Sequence, residues 1–467
     1  MAENDYDVAI VGAGTGGYVA AIRGGQLGLK VALIEEDKVG GVCLHRGCIP
    51  TKALLESAEV YSLSKRGQEY GVIASDVKFD YLQMATRKDK IVSQLHKGVE
   101  FLLKKNKVTV VKGKARLESP TSLFVGLGDG ASQRIQARNV IIATGSQPKE
   151  LPGLPTDGEN VINSDHAVNL TEPPKSVIIV GAGATGVEFA TLYHSLDIPV
   201  TILQRNHRLL PKEDEEVSKN LERAFTRTGI KLVTTAAVLG SMVRVGRASV
   251  EVEVTRDGGI ETYVADKVLV AVGREGRVKG IGLEEVGVRV DDSFIKVDER
   301  KRTTVPNVLA IGDVIGGLML AHRAMTEGIL VMESIAGKRT EVLQDERIPR
   351  STWCRPQVGS LGLSEQEAKA KGFNVKVGRF SFRANSMALI RGETDGFAKI
   401  IADEDTGEIL GAHLIGPGAT ELVAETALAK LLESTPWELA LSVHAHPTLS
   451  EAIMEAARDV DGWAIHV

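Results

Sequence analysis

Val8-Ala-Ile-Val-Gly12-Ala-Gly14-Thr-Gly-Gly17 decides the fold. An apolar strand runs into a glycine turn, and a helical stretch follows. In Gly12-x-Gly14-x-x-Gly17 the first glycine makes the turn, the second lets the backbone approach a pyrophosphate, and the third packs helix on strand. The phosphate then sits at the positive end of the helix. Glu35 closes the next strand, 21 residues after Gly14, where a carboxylate can accept hydrogen bonds from a ribose hydroxyl. The pattern returns 169 residues later as Val177-Ile-Ile-Val-Gly181-Ala-Gly183-Ala-Thr-Gly186, without gaps to Val200 and on to Gln204. Two β-α-β units predict two dinucleotide sites, or one site and a relic.

The copies differ where specificity is set. Gln204 stands where Glu35 does, followed by Arg205, with Arg208 close by. A carboxylate repels a ribose 2′-phosphate, whereas an amide and an arginine tolerate or bind one. Two outcomes stay open: an NADP(H) preference, or acceptance of NAD(H) and NADP(H) alike. The plainer reading makes Arg205 and Arg208 solvated loop residues.

The 467 residues are 43% hydrophobic and 25% charged, ordinary for a globular chain of about three domains. Acids outnumber bases, 61 to 56, which argues against nucleic-acid binding. Glycine is high, 49 residues, as expected for tight turns and close backbone approach to ligands. The uncharged run Val8 to Ile22 is too short and glycine-rich to span a membrane, and the acidic start lacks the marks of a signal or transit peptide. The expected location is the cytoplasm, the alternative being a chain that is already mature.

Val250, Val252 and Val254 alternate with Glu251 and Glu253, which predicts an antiparallel meander between about 240 and 270. A strand is expected at Val308 to Ile311, ahead of Gly312-Asp313, and an amphipathic helix over Ala419 to Leu432. Glu213 to Glu216 read as the start of a solvated helix, where acids suit the dipole. Lys104, Lys105 and Lys107 read as an exposed helix end.

The cysteines are Cys43, Cys48 and Cys354. That is too few for a disulfide scaffold. On a regular helix, Cys43 and Cys48 would have Cα atoms roughly 9 Å apart, and a disulfide needs less than ~7 Å. Bonding requires an irregular backbone, for which Gly47 and Pro50 provide. His45 and Arg46 are expected to add positive charge that favours a thiolate. No matching Cys/His cluster supports zinc, so no metal site is expected. Cys354 reads as a small buried residue. His444-Ala-His446-Pro-Thr-Leu-Ser-Glu451 offers a histidine and a carboxylate, the usual pairing for proton transfer near neutral pH. Two dinucleotide sites, a cysteine pair and one base add up to a flavin-linked thiol–disulfide oxidoreductase.

The chain resembles the lipoamide-oxidising branch of the pyridine nucleotide–disulfide oxidoreductase family. The likeness rests on both fingerprints, Gly-Gly-Val-Cys-Leu-His-Arg-Gly-Cys-Ile-Pro-Thr-Lys at 40 to 52, Ala143-Thr144-Gly145, Ala310-Ile-Gly312-Asp313 and the segment 444 to 451. It implies an α/β fold with two Rossmann-like dinucleotide-binding domains and a C-terminal α+β dimerisation domain. The implied division is 1–149 (FAD), 150–272 (NAD(P)), 273–346 (completing the FAD domain) and 347–467 (interface). The resemblance places FAD at Gly12, Gly14, Gly17, Glu35, Lys52, Ala143, Thr144, Gly145, Gly312 and Asp313. It places the nicotinamide cofactor at Gly181, Gly183, Gly186, Glu188, Gln204, Arg205 and Gly273. Cys43 resembles the interchange thiol and Cys48 the thiol facing the flavin, while Lys52 and Glu188 resemble a pair near the flavin's reactive nitrogen. His446 resembles the base and Glu451 its partner, serving the other subunit of a homodimer. The implied substrate is dihydrolipoamide, free or on a carrier protein. The chain departs from that pattern at Gln204, at Val272 to Val278 and at His45-Arg46. Alternatives are an NADPH-dependent reductase of a small disulfide such as glutathione, and a flavoprotein assembly subunit with relic residues. Mercuric reductase fits less well, because the C-terminus lacks a cysteine pair, and the intact pair disfavours a transhydrogenase.

Overall fold

The computed structural model describes residues 5–466 apart from 129, 240–243 and 246–248. The acidic start Met1 to Asn4, parts of the stretch between 240 and 270, and Val467 lie outside the described residues.

The repeat seen in sequence is a repeat in register. The strand Asp5–Val11 pairs in parallel with Val31–Glu35, Val8 opposite Val31 and Val11 opposite Ile34. In the second unit Val177–Val180 pairs with Val200–Leu203, Val177 opposite Val200 and Val180 opposite Leu203. Their strands are buried on both faces, which explains near-continuous apolar runs rather than alternation. The first sheet has seven strands, and Val308–Ala310 joins it beside Ser132–Ile142. The second has five parallel strands, with Lys267–Val270 and Val161–Ile162 completing it.

The predicted meander is present. Val250–Arg256 pairs antiparallel with Gly259–Ala265, and Val250, Val252 and Val254 are buried. Burying each such side chain contributes roughly 1.5–3 kcal/mol. The last region is a five-stranded antiparallel sheet, Arg350–Thr352 to Val375–Ser381, covered by the helices Ala419–Leu431 and Glu451–Val460.

Two expectations fail. The helix from Ala419 is not amphipathic. Val423 and Ala429 face the sheet, while Leu428, Leu431 and Leu432 are exposed. An exposed apolar face beside Trp437, Leu441 and Val443 is the mark of a protein–protein surface. Glu213 to Glu216 do not open a solvated helix either. Asp214 does cap the helix Glu215–Thr228, accepting from the Glu216 amide. Yet Asp214 is fully buried, and so is Lys399 from the last sheet, 3.0 Å away. Glu216 and Glu365 reach the same ammonium at 2.7 and 2.8 Å, and Glu213 pairs with Arg350. The acids are spent on an ionic contact between the second unit and the last sheet. Sequence gave no sign of it because the cations lie more than 130 residues away.

Among the described residues, no helix is long and apolar enough to cross a membrane.

Candidate active site

The two glycine loops are built alike. Gly12 has φ +100°, and a Cβ there would lie 2.4 Å from the Ala143 carbonyl oxygen. Gly181 has φ +103° and the same relation, 2.4 Å, to Ala271. A Cβ on Gly17 or Gly186 would strike the carbonyl of Gly12 or Gly181 at 1.9 or 2.0 Å. By contrast, a Cβ on Gly14 or Gly183 would meet nothing within 4 Å. These two positions cap their helices, so open space lies directly at the helix N-terminal amides.

Glu35 lies at the rim of the first cradle. Its Oε2 accepts from the Ala13 amide at 2.7 Å and its Oε1 from the Asp37 amide at 2.9 Å. Gln204 is turned inward instead. It is buried and donates its amide to the Arg208 carbonyl at 3.2 Å. Arg205 is exposed, and Arg208 is half-buried and donates to the Pro211 carbonyl.

The cysteine segment is docked on the first loop. The Gly40 amide donates to the Ala13 carbonyl at 2.8 Å, and a Cβ on Gly41 would come within 2.5 Å of Gly14 Cα. Cys43 belongs to the short helix Gly41–His45, and Cys48 begins the helix Cys48–Lys65. The break at Arg46-Gly47 supplies the irregularity that the spacing required, and the thiols meet in a hydrogen bond. Both are free thiols here, half-buried. That hydrogen bond brings the Cys48 thiol down to about 7, with help from the Lys52 charge and against burial. The same bond, with burial, pushes the Cys43 thiol up.

The source of positive charge differs from expectation. Burial lowers the His45 imidazole, whose Nε2 donates to the Val39 carbonyl. Arg46 is engaged by Asp37 at 3.3 Å and Asp165 at 3.8 Å. Lys52, one helical turn beyond Cys48, is the cation that acts on the Cys48 thiol. Its Nζ bonds both carboxylate oxygens of Glu188, at 2.9 and 2.8 Å, from the second unit. Trp353 completes this contact: its amide donates to Glu188 at 3.0 Å and its ring lies 4.5 Å from Lys52 Nζ. Sequence reading missed Trp353, since only the fold brings it here. Cys354 is buried and its thiol is pushed up by burial.

Thr144 donates its hydroxyl to the Arg277 carbonyl, and Gly145 has φ +70°. Ser146, also missed, donates to Asp313 at 2.5 Å and accepts from Arg274 at 2.7 Å. Its signal was its place directly after Gly145. Glu327, fully buried, accepts from the Gly312 amide at 2.8 Å and so fixes the loop that carries Asp313. Gly273, at φ +129°, follows Ala271 on the second loop.

His446 Nδ1 meets Glu451 Oε1 at 2.9 Å, so the ring's Nε2 is left as the acceptor. Burial pushes the Glu451 carboxyl up, but hydrogen bonds from Thr448 and His446 outweigh it and leave it below the usual range. The His446 ring is 69% exposed.

The first cradle fits FAD. It offers open space at helix amides, a rim carboxylate and the cysteine segment docked through Gly41 on Gly14. Among the described residues, no group of three or more His, Cys, Asp or Glu side chains is placed to hold a metal.

Two family models match the chain: pyridine nucleotide-disulphide oxidoreductase over residues 6–328, and its dimerisation domain over 348–457. The chain belongs to the pyridine nucleotide-disulphide oxidoreductase family. It is 45% identical to a dihydrolipoyl dehydrogenase of Bacillus subtilis, covering 99% of each chain. It is 44% identical to one of Chlorobaculum tepidum, covering 97% of each. Among solved structures it is similar to LpdA of Mycobacterium tuberculosis, with TM-score 0.90 and 28% identity over 97% of this chain and 98% of that one. It is also similar to the flavoprotein disulfide reductase RclA of Escherichia coli, with TM-score 0.85 and 27% identity over 97% and 99%.

Proposed function

We propose that this family member oxidises dihydrolipoamide, free or on a carrier protein, and delivers the electrons to NAD(P)+. The observation that carries the reading is the cysteine segment, docked through Gly41 on Gly14 of one cradle and tied to the other by Lys52–Glu188, one helical turn beyond Cys48. The two relatives named above as dihydrolipoyl dehydrogenases, similar over their full length, support this substrate over a small disulfide.

FAD is held at the first cradle by Gly12, Gly14, Gly17, Glu35, Lys52, Ala143, Thr144, Gly145, Gly312 and Asp313. The nicotinamide cofactor sits at Gly181, Gly183, Gly186, Glu188, Gln204, Arg205 and Gly273. NAD(H) is the ordinary partner, and the neutral, inward-turned Gln204 leaves room for NADP(H). A bound FAD supplies two-electron exchange between the Cys43–Cys48 dithiol and the nicotinamide.

The chain's own residues do the sulfur chemistry. His446 accepts a proton at Nε2 from a substrate thiol, and Glu451 holds the ring and stabilises the imidazolium. The substrate thiolate attacks Cys43 Sγ of the oxidised pair. A mixed disulfide forms, the Cys43–Cys48 bond breaks, and Cys48 leaves as a thiolate. The Lys52 charge favours the departing Cys48 thiolate. The second substrate thiol attacks its partner sulfur in the mixed disulfide, and its proton passes to Cys43. The lipoamide ring closes and Cys43 is released as a thiol beside the Cys48 thiolate, with the first proton on His446, so the electron pair rests on the dithiol.

The exposed apolar face at Leu428, Leu431, Trp437 and Leu441 serves a homodimer, which presents His446 to the partner's cysteines. The domain division is that given from sequence, 1–149, 150–272, 273–346 and 347–467. A working dithiol suits a reducing compartment, the cytoplasm. Turnover tests the substrate. The holoprotein is expected to reduce NAD+ with dihydrolipoamide and to leave glutathione disulfide untouched with NADPH. The reverse pattern overturns the reading.

A further inference from the structure

His446 is not the only paired histidine of its loop. His444 is enclosed, with its side chain 6% exposed. Its Nε2 lies 2.7 Å from Glu425 Oε1 on the helix Ala419–Leu431, and its Nδ1 lies 2.8 Å from the Ser442 carbonyl oxygen. A backbone carbonyl only accepts, and so does an ionised carboxylate. Both ring nitrogens must therefore carry hydrogen. The geometry is that of an imidazolium locked between two acceptors.

We infer that His444 and Glu425 form a second His–Glu dyad that positions the loop bearing His446 and sets the charge around that base. The inference rests on the functional reading above. His444 ties the 442–448 segment to the helix from Ala419, and Glu451 ties it to the helix Glu451–Val460 through His446 and the Thr448 amide. Asn385 adds a third tether, donating to the Thr448 carbonyl at 3.0 Å. The base is thus held between two helices.

The electrostatics follow from the same groups. The Glu425 hydrogen bond raises the His444 imidazole against the opposing effect of burial. The Ser442 carbonyl and the Glu451 charge add to the rise. The charged groups that act on this ring are Glu425 and Glu451, and Glu451 in turn feels His446 and His444. Within the dyad the imidazolium and the Glu425 carboxylate offset one another, so the base faces no net charge from that side.

Three variants of the holoenzyme test this through the pH profile of kcat/KM for dihydrolipoamide. Its acid limb reports protonation of the base. His444→Gln leaves the Glu425 charge uncompensated. The acid limb is expected to move to higher pH by about half a unit or more, the effect of one charge a few ångströms away in a partly solvated site. Glu425→Gln is not expected to raise it. The double variant, again neutral overall, should return the limb to its wild-type position, with kcat/KM still lowered by the looser loop. A merely structural role would lower the whole curve without moving the limb. Limbs that coincide in wild type and His444→Gln overturn the inference, and so does a double variant as shifted as the single. Should His444→Gln not fold, a raised limb in Glu425→Gln overturns it equally. Wild-type protein that fails to turn over dihydrolipoamide at any pH overturns the functional reading, and this inference with it. Wild-type turnover with unmoved limbs removes the inference alone.

Discussion

The two dinucleotide units share a fold, a register and a glycine cradle, yet their rims differ. At the first rim Glu35 turns toward the glycine loop and bonds two backbone amides. At the second, Gln204 turns inward to the Arg208 carbonyl and leaves Arg205 in solvent. The surroundings differ as well. The first cradle has the cysteine segment docked on it through Gly41, whereas the second unit carries the Lys399–Asp214 contact at the start of its later helix Glu215–Thr228. A duplicated scaffold thus keeps what phosphate binding demands and varies what chooses the chemistry.

The sharpest way to separate the units is Cys43→Ser. It should cut dihydrolipoamide turnover about a thousandfold or more, because the sulfur that forms the mixed disulfide is gone. NADH oxidation by an artificial one-electron acceptor should persist, since it needs no cysteine pair. Retained dihydrolipoamide turnover removes Cys43 from its role.

Next comes Lys399→Met. It leaves Asp214 buried without its cation, which costs about 3–5 kcal/mol. Denaturant unfolding followed by both flavin and nicotinamide affinity should show the second unit loosening before the first. An unchanged midpoint means the cluster is dispensable.

The glycine pair tests the equivalence of the cradles. Gly17→Ala and Gly186→Ala each force a methyl into a carbonyl 1.9 or 2.0 Å away. Overpacking of about 1–3 kcal/mol corresponds to about ten- to hundredfold in affinity. Gly17→Ala should weaken FAD retention and Gly186→Ala the nicotinamide KM, each sparing the other. Crossed effects would break the assignment of cofactors to cradles.

Gln204→Glu copies the first rim onto the second. The NADP+-to-NAD+ ratio of kcat/KM should fall about tenfold, as expected for a new repulsion of about 1.4 kcal/mol. An unchanged ratio would show that the position does not read the ribose phosphate.

The smallest effect is on acid stability. Arg379 first, and then Lys399, hold the Glu216 carboxyl down at about 2. A depressed folded value stabilises at pH above the ordinary carboxylate range, and that stability fades as pH falls from about 4.5 to about 2. About 1–2 kcal/mol is expected, after discounting for a side chain open to solvent. Glu216→Gln should flatten this part of the stability curve, and an equally steep loss in the variant would contradict it.

Much of this was legible in sequence because it is local. The fingerprints, the Gly47 break between the cysteines, the alternating valines and the His446–Glu451 pair all lie within short windows. What escaped was long-range. Lys399 sits 185 residues from Asp214, and Trp353 165 from Glu188. The charge expected from His45 and Arg46 failed only partly for that reason. Burial and two aspartates, one of them more than a hundred residues on, cancel it and leave Lys52 as the cation.

Anaerobic mixing of the yellow holoprotein with dihydrolipoamide, followed by NAD+ or NADP+ in parallel, tests the central claim most directly. The account predicts loss of the oxidised flavin absorbance on adding dithiol and its rapid return with NAD+. Flavin that stays oxidised with dihydrolipoamide but is bleached by NADPH would contradict it.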